Sequence, residues 1–159
     1  MRFTGERSVA AAAAEVWAGL HDPEVLRRAI PGCQELTPVG RGAYEATLDV
    51  HVGPLSDTYR GRFDVRGHPS RTSLRVLVVG EGRAGSLELD LHVDLVRPEE
   101  RTTVLRYDAT AEVSGVVARL GAPTLTVAGA HLTGCFFRDL DRALGSRSRQ
   151  TVKPDLTLA

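Results

Sequence analysis

The chain predicts an α+β domain in which a curved antiparallel sheet is covered by one long C-terminal helix. Three observations carry this. Residues 86–96, "SLELDLHVDLV", alternate almost without error: Leu87, Leu89, Leu91, Val93 and Leu95 against Ser86, Glu88, Asp90, His92 and Asp94. Period 2 is that of a strand with one dry and one wet face. Four more stretches between residues 43 and 113 alternate in the same way, joined by turn-rich strings. After Val113 the period becomes helical: Leu125, Gly129, Leu132, Phe136, Leu140 and Ala143 fall on one side at about 100° per residue.

In order, "MRFTGERSV" reads as a first strand and "AAAAEVWAGLHD" as a helix rich in good helix formers. Asp22 caps a second short helix with Pro23 at its first position, and Pro31-Gly32 stops it. The strands that follow have apolar sets Tyr44, Ala46, Leu48, Val50, Val52; then Tyr59, Gly61, Phe63, Val65; then Leu74, Val76, Val78; and last Leu105, Tyr107, Ala109, Ala111, Val113. In the third set Leu77 and Val79 blur the alternation. The joints "GPLSD", "GHPSR", "GEGRAG" and "RPEER" are turn chemistry, so successive strands pair as hairpins.

Two registers follow. A turn over Gly53–Thr58 sets Leu48 against Phe63 and Ala46 against Val65, with Asp49 near Arg62 and Glu45 near Arg66 outside. A Gly82–Gly85 turn sets Val78 against Leu89 and Val76 against Leu91. Pro123 either kinks the last helix or starts it after a short turn at 115–121, and Gly145 ends it. The expected organisation is one domain over residues 1–145 and a polar, flexible tail over 146–159.

Composition excludes several classes. Twenty basic and twenty acidic residues cancel, which removes the charge excess that nucleic acid or an anionic surface would call for. Two cysteines, Cys33 and Cys135, are too few for a secreted disulfide scaffold, so a reduced, cytoplasmic setting is expected. No apolar run reaches the ~20 residues of a membrane-spanning helix, so any membrane contact is expected to be peripheral and transient.

The single long helix is the piece available to cover the dry face. The inward set contains Ala46, Gly61, Gly80, Ala109 and Ala111, all small, and aromatics are only 5% of the chain, so the fit is expected to leave a hollow. The alternative is a packed core with small residues at strand bends. The expected lining is Tyr44, Leu48, Tyr59, Phe63, Val76, Leu89, Leu91, Tyr107, Ala109, Leu125, Leu132 and Phe136. The expected mouth is Ile30, Pro31, Leu55, Val117 and Leu120.

Chemistry-bearing residues are sparse inside. The histidines, His21, His51, His68, His92 and His131, share no ligand spacing, so no metal site is expected. "GEGRAG" joins strand to strand and fails the context of a phosphate loop. Ser114, like the other serines, lacks a nearby base and acid for a triad. Glu45, Asp49, Glu88, Asp90 and Asp94 face water by the alternation. Cys33 and Cys135 read as packing residues and Trp17 as the anchor of the first helix. Tyr44, Tyr59 and Tyr107 point inward and could each donate one hydrogen bond. No catalytic residue and no cofactor is expected.

The strings "AAAEVWAGLHDPEVLRRAIPGCQEL", "YEATLDVHVGPLSDTYRGRFDV", "GEGRAGSLELDLHVDL" and "VSGVVARLG" resemble the G-subunit family of carbon monoxide dehydrogenase, from about Phe3 to Leu144. The most specific part is Asp22-Pro23 with Ile30-Pro31-Gly32-Cys33. That family belongs to the helix-grip superfamily of START-like and birch-pollen-allergen-like proteins. The resemblance implies a seven-stranded curved antiparallel sheet, two short helices after strand 1 and a long C-terminal helix gripped by the sheet, with an apolar ligand chamber between. It implies a non-catalytic binding protein for a quinone or lipid-like molecule. It further implies service to a molybdenum hydroxylase of the carbon monoxide dehydrogenase type, through membrane recruitment at the inner face or electron and quinone coupling. Two other readings compete with this: a cyclase- or aromatase-like enzyme of the same superfamily, and a solid-core accessory protein.

Overall fold

The computed structural model describes residues 1–158, with side chains for all of them except Val52 and residues 146–158. Strand β1 (Arg2–Val9) is followed by helices α1 (Ala13–Leu20) and α2 (Pro23–Ala29). Six strands come next: β2 (Cys33–Gly40), β3 (Ala43–Val52), β4 (Leu55–Gly67), β5 (Ser73–Gly82), β6 (Gly85–Glu99) and β7 (Thr102–Ser114). A 3-10 turn (Val116–Leu120) then leads into helix α3 (Ala122–Leu158). The strands form one antiparallel sheet in the order β1-β7-β6-β5-β4-β3-β2.

Local chemistry places each boundary. The Asp22 carboxylate accepts the Glu24 N–H at 2.9 Å, and Pro23 occupies the first helical position of α2, where a missing N–H costs nothing. Pro123 likewise falls in the first turn of α3, so it starts the helix after the 3-10 turn and does not kink it. The helix passes Gly145, where the sequence alone would end it. A single internal glycine costs about 1 kcal/mol, and Ala143 and Leu144 anchor the preceding turn at 1% and 2% exposure. The expectation of a loose polar tail over 146–159 concerns side chains outside the described residues.

The β5–β6 register is as expected: Val78 opposes Leu89, Val76 opposes Leu91, and Gly82 opposes Gly85. The β3–β4 register is not. Val52 opposes Leu55, so the turn is Gly53-Pro54 alone, and Leu48 meets Tyr59 while Tyr44 meets Phe63. Gly53 at φ +56° followed by a proline is the Gly-X order of a II′ hairpin, whose twist matches the strands better than a six-residue loop. The slip is four residues, an even number, so every side chain keeps its expected face. The outside partners change: Glu45 lies opposite Arg62, and Asp49 opposite Thr58, whose hydroxyl donates to it at 2.9 Å. Strand β2 shows no alternation and carries Pro38, which marks it as an edge.

The outer face is held by cross-strand ion pairs. The Arg75 guanidinium donates to both oxygens of Asp90 (2.9 and 2.6 Å), Arg2 to both of Asp108 (3.0 and 2.7 Å), and Arg106 to Glu6 (2.7 Å). All are exposed, and such pairs add little each. The core sits at one end, where α1, α2 and the later turns of α3 meet the sheet. Val9, Val16, Leu105 and Leu140 are fully buried there, Leu144 lies against Gly19, and the one buried polar side chain described, Thr103, donates to the Ala11 carbonyl at 2.8 Å.

Candidate ligand-binding cleft

The dry face is not uniformly dry. Along β6, Val93 and Leu95 are buried, whereas Leu87, Leu89 and Leu91 are half-exposed. Along β5, Leu74 is buried, while Val76 and Val78 are half-exposed. On β3 and β4, Tyr44, Phe63 and Val65 are buried but Ala46, Leu48, Val50 and Tyr59 are half-exposed. The facing residues of α3, Leu125, Leu132 and Phe136, are half-exposed too. One end of the sheet–helix sandwich is therefore closed, and the other is an apolar cleft that water reaches.

Small residues and the path of α3 make the cleft. Gly61 and Gly80 oppose each other on β4 and β5, and a Cβ on Gly61 would collide with the Val79 carbonyl and come within 2.8 Å of the Gly80 Cα. The strands pinch together there, and neither puts a side chain into the space above. Ala109 and Ala111 continue the small inward surface on β7. Helix α3 packs on α1 and α2 at the closed end, also on β1, and on the 3-10 turn at the open end. Phe3 lies against Gly129. Two hollows, of about 560 and 450 Å³, lie among charged side chains such as Glu45, Arg62, Arg66 and Asp94, and the first also touches Ala46 and Gly61.

The three inward tyrosines part company. Tyr44 belongs to the closed end: it is 5% exposed, stacks on Phe63 at 5.0 Å and donates to the His21 carbonyl at 3.3 Å, and burial pushes its phenol up. Tyr107 is half-exposed and stacks on Phe137 at 5.6 Å, its hydroxyl seated over Gly5. Tyr59 stands at the open end with its ring over Gly80, and burial, followed by the nearby Asp57 charge, pushes its phenol up. Of the remaining expected lining, Phe63 and Ala109 are buried, and Leu48, Val76, Leu89, Leu91, Leu125, Leu132 and Phe136 border the open half.

Of the expected mouth residues, Leu55, Val117 and Leu120 lie toward that end, whereas Ile30 packs against the buried core. Ile30 and Pro31 precede Gly32, whose carbonyl accepts the Asp49 N–H beside Leu48. Leu55 follows the Gly53-Pro54 turn. Val117 is buried against Gly85, its N–H donating to the Ala84 carbonyl at 2.8 Å, and Leu120 ends the 3-10 turn half-exposed.

One inward polar residue is missing from the sequence-based lining. Asp57 shares the inward parity of Tyr59 and Phe63. Its carboxylate accepts the Ala84 N–H at 2.8 Å and the Thr58 N–H at 2.9 Å. These bonds, Ala84 first, hold its carboxyl below the usual carboxylate range, with Arg83 adding to the effect. Asp57 thus ties β4 to the β5–β6 hairpin, which in turn holds the 3-10 turn. The signal was present in the sequence: counting in twos back from Phe63 reaches Asp57 once the turn shrinks to Gly53-Pro54.

The other candidates sit outside the cleft. Glu45, Asp49, Glu88 and Asp94 lie on the outer face, and Asp90 is bound there by Arg75. His21 bonds the Trp17 carbonyl at 2.8 Å and packs on its ring at 4.6 Å, with both against Gly67 of β4. His51 pairs with Ser56, His68 with Ser70, His92 with Asp90 and His131 with Cys135. Among the described residues no three His, Cys, Asp or Glu side chains converge as a metal site would need. Cys33 is half-buried beside the Glu35 carbonyl, and burial pushes its thiol up, opposed by Arg27.

The model of the CoxG family, which describes the G subunit of carbon monoxide dehydrogenase, matches residues 5–145. The chain belongs to that family. Its fold recurs widely among solved structures. A conserved protein from Geobacillus kaustophilus is 27% identical with a TM-score of 0.87, covering 92% of this chain and 96% of that one. A START superfamily protein from Mycobacterium smegmatis is 19% identical at a TM-score of 0.63, over 94% and 98% of the two chains. The Zhui aromatase/cyclase from Streptomyces sp. R1128 is 20% identical at a TM-score of 0.62, over 95% of each. No curated protein matches this CoxG family member. The helix-grip fold, with its seven strands and long C-terminal helix, is thus borne out.

Proposed function

We propose that this chain is a non-catalytic accessory protein that carries an apolar small molecule, a quinone or another long-tailed lipid, in the cleft between the sheet and α3. It would serve a molybdenum hydroxylase of the carbon monoxide dehydrogenase type. The observation that supports this is the half-exposed apolar lining: Leu48, Leu89 and Leu132 are reached by water on the sheet and helix, and Val78, Leu91 and Phe136 pack against the core with part of their surface still exposed. Apolar surface left in water costs roughly 25 cal/mol per Å², so an occupant that covers it is favoured, at about 0.8 kcal/mol per buried methylene. Membership in the CoxG family supports the choice of partner. No helix of the described residues is long and apolar enough to cross a membrane, so loading would take place during reversible contact with the inner face.

The enzyme reading has one observation in its favour, the inward pair Asp57 and Tyr59. Both oxygens of Asp57 accept backbone N–H groups, however, which fits a structural clasp better than a proton shuttle. The decisive experiment is gentle purification from the native host followed by native mass spectrometry and lipid extraction. A bound apolar species of defined mass, together with co-purification of the hydroxylase, is the expected result. An empty protein that takes up neither quinones nor lipids in solution would refute the carrier role.

A further inference from the structure

The open half of the cleft is almost featureless to a polar group. Its inward strand positions hold leucine, valine, alanine and glycine, and no lysine, arginine or histidine. Two polar side chains break this surface, Asp57 and Tyr59, both on β4 beside the mouth. They differ in what they have left to offer. Asp57 already accepts two backbone N–H groups. The Tyr59 hydroxyl has no hydrogen-bond partner among the described residues, and its ring leans over Gly80, where no side chain stands in its way. Tyr107, the other inward phenol without such a partner, lies eight ladder rows away, at the row of Val93 and Gly5. It is stacked on Phe137 near β1, away from the mouth.

We infer that the cleft takes its ligand head-outward, with the Tyr59 hydroxyl donating to an uncharged carbonyl-type acceptor on the head and the tail running inward toward Phe136. This inference rests on the carrier reading above. The phenol stays protonated well above neutral pH because burial disfavours its anion, so it remains a donor. The hydroxyl is open to solvent, and a ligand that covers the mouth takes that solvent away, so an acceptor on its head keeps the donor satisfied. Asp57 sets the other half of the selectivity. Its negative charge lies on the adjacent inward position of the same strand, and an anionic head would meet it without an inward cation to offset the repulsion. Arg83, on the hairpin turn, is already engaged electrostatically with Asp57. The ligand class is therefore a long apolar tail with a neutral acceptor head, such as a ketone, quinone or ester, and not a fatty acid.

Three probes with one tail separate these effects: dodecane, methyl laurate and laurate, each competing with the neutral dye N-phenyl-1-naphthylamine. The wild-type protein is expected to bind methyl laurate best. Tyr59→Phe should weaken methyl laurate about tenfold, the loss of one hydrogen bond, and leave dodecane within twofold. Asp57→Asn, which keeps an acceptor for Ala84, should narrow the preference of ester over laurate severalfold. If no probe displaces the dye from the wild type, the carrier reading itself fails. If all three displace it and Tyr59→Phe treats them as the wild type does, the carrier reading stands and the role of Tyr59 is overturned. A laurate affinity equal to that of the ester in the wild type overturns the role of Asp57.

Discussion

Gly61 and Gly134 are both glycines inside regular elements, yet they stand for opposite things. At Gly61 the backbone of β5 occupies the place of a Cβ, and backbone cannot rotate away. At Gly134, on α3, nothing lies within 4 Å of where a Cβ would be. Gly61→Ala should therefore destabilise by about 2 kcal/mol or more through forced strand separation. Gly134→Ala should stabilise by about 0.5–1 kcal/mol, since alanine loses less freedom in a helix. Urea unfolding of the two variants beside the wild type checks both signs, and a neutral Gly61→Ala would mean that the pinch between β4 and β5 is absent. The same residue-level accounting separates the tyrosines: all three have inward parity in the sequence, and only their neighbours decide that Tyr44 is buried and Tyr59 half-exposed.

At the level of elements, Asp57 is the tie between β4 and the β5–β6 hairpin, and it titrates. Its folded value lies below the ordinary 3.8. The tie is thus in place above pH 3.8 and is lost as the pH falls through the lower, folded value. The Ala84 amide proton should follow this titration in an NMR pH series, with a midpoint below 3.8, and lose it in Asp57→Asn. A midpoint at or above 3.8 would show that the N–H bonds do not form in solution. This tie also marks where the sequence is hard to read. The string "GPLSD" contains five residues that suit a loop, so the turn reads as long and Asp57 reads as part of it. Two of the five, Gly53 and Pro54, suffice for a II′ hairpin, and the rest join β4. The β5–β6 hairpin was legible because Gly82 and Gly85 bracket the turn cleanly. Strand β2 carries no alternation to read, since an exposed edge with a proline has no reason to alternate.

For the whole molecule, the sequence yields the sheet, its faces and its covering helix, but not the gradient of burial along them. Leu74 and Leu89 are the same residue on the same face, and one is 5% exposed while the other is half-exposed. What differs is the third layer: α1 and α2 lie with α3 at one end only. That gradient separates a carrier from a solid accessory protein, and bulk added at its two ends tests it. Leu105 is fully buried at the closed end. Leu105→Trp should overpack that core and destabilise by about 1–3 kcal/mol or more. Leu89→Trp places the same bulk into the cleft, where space is open and apolar, so stability should hold or rise while ligand uptake is lost. The two variants thus reverse roles, one harming the fold and one the function, as read by thermal unfolding and by dye displacement. Equal destabilisation by both would mean that the interior is packed throughout, and an accessory protein working through its surface alone would then be the better account.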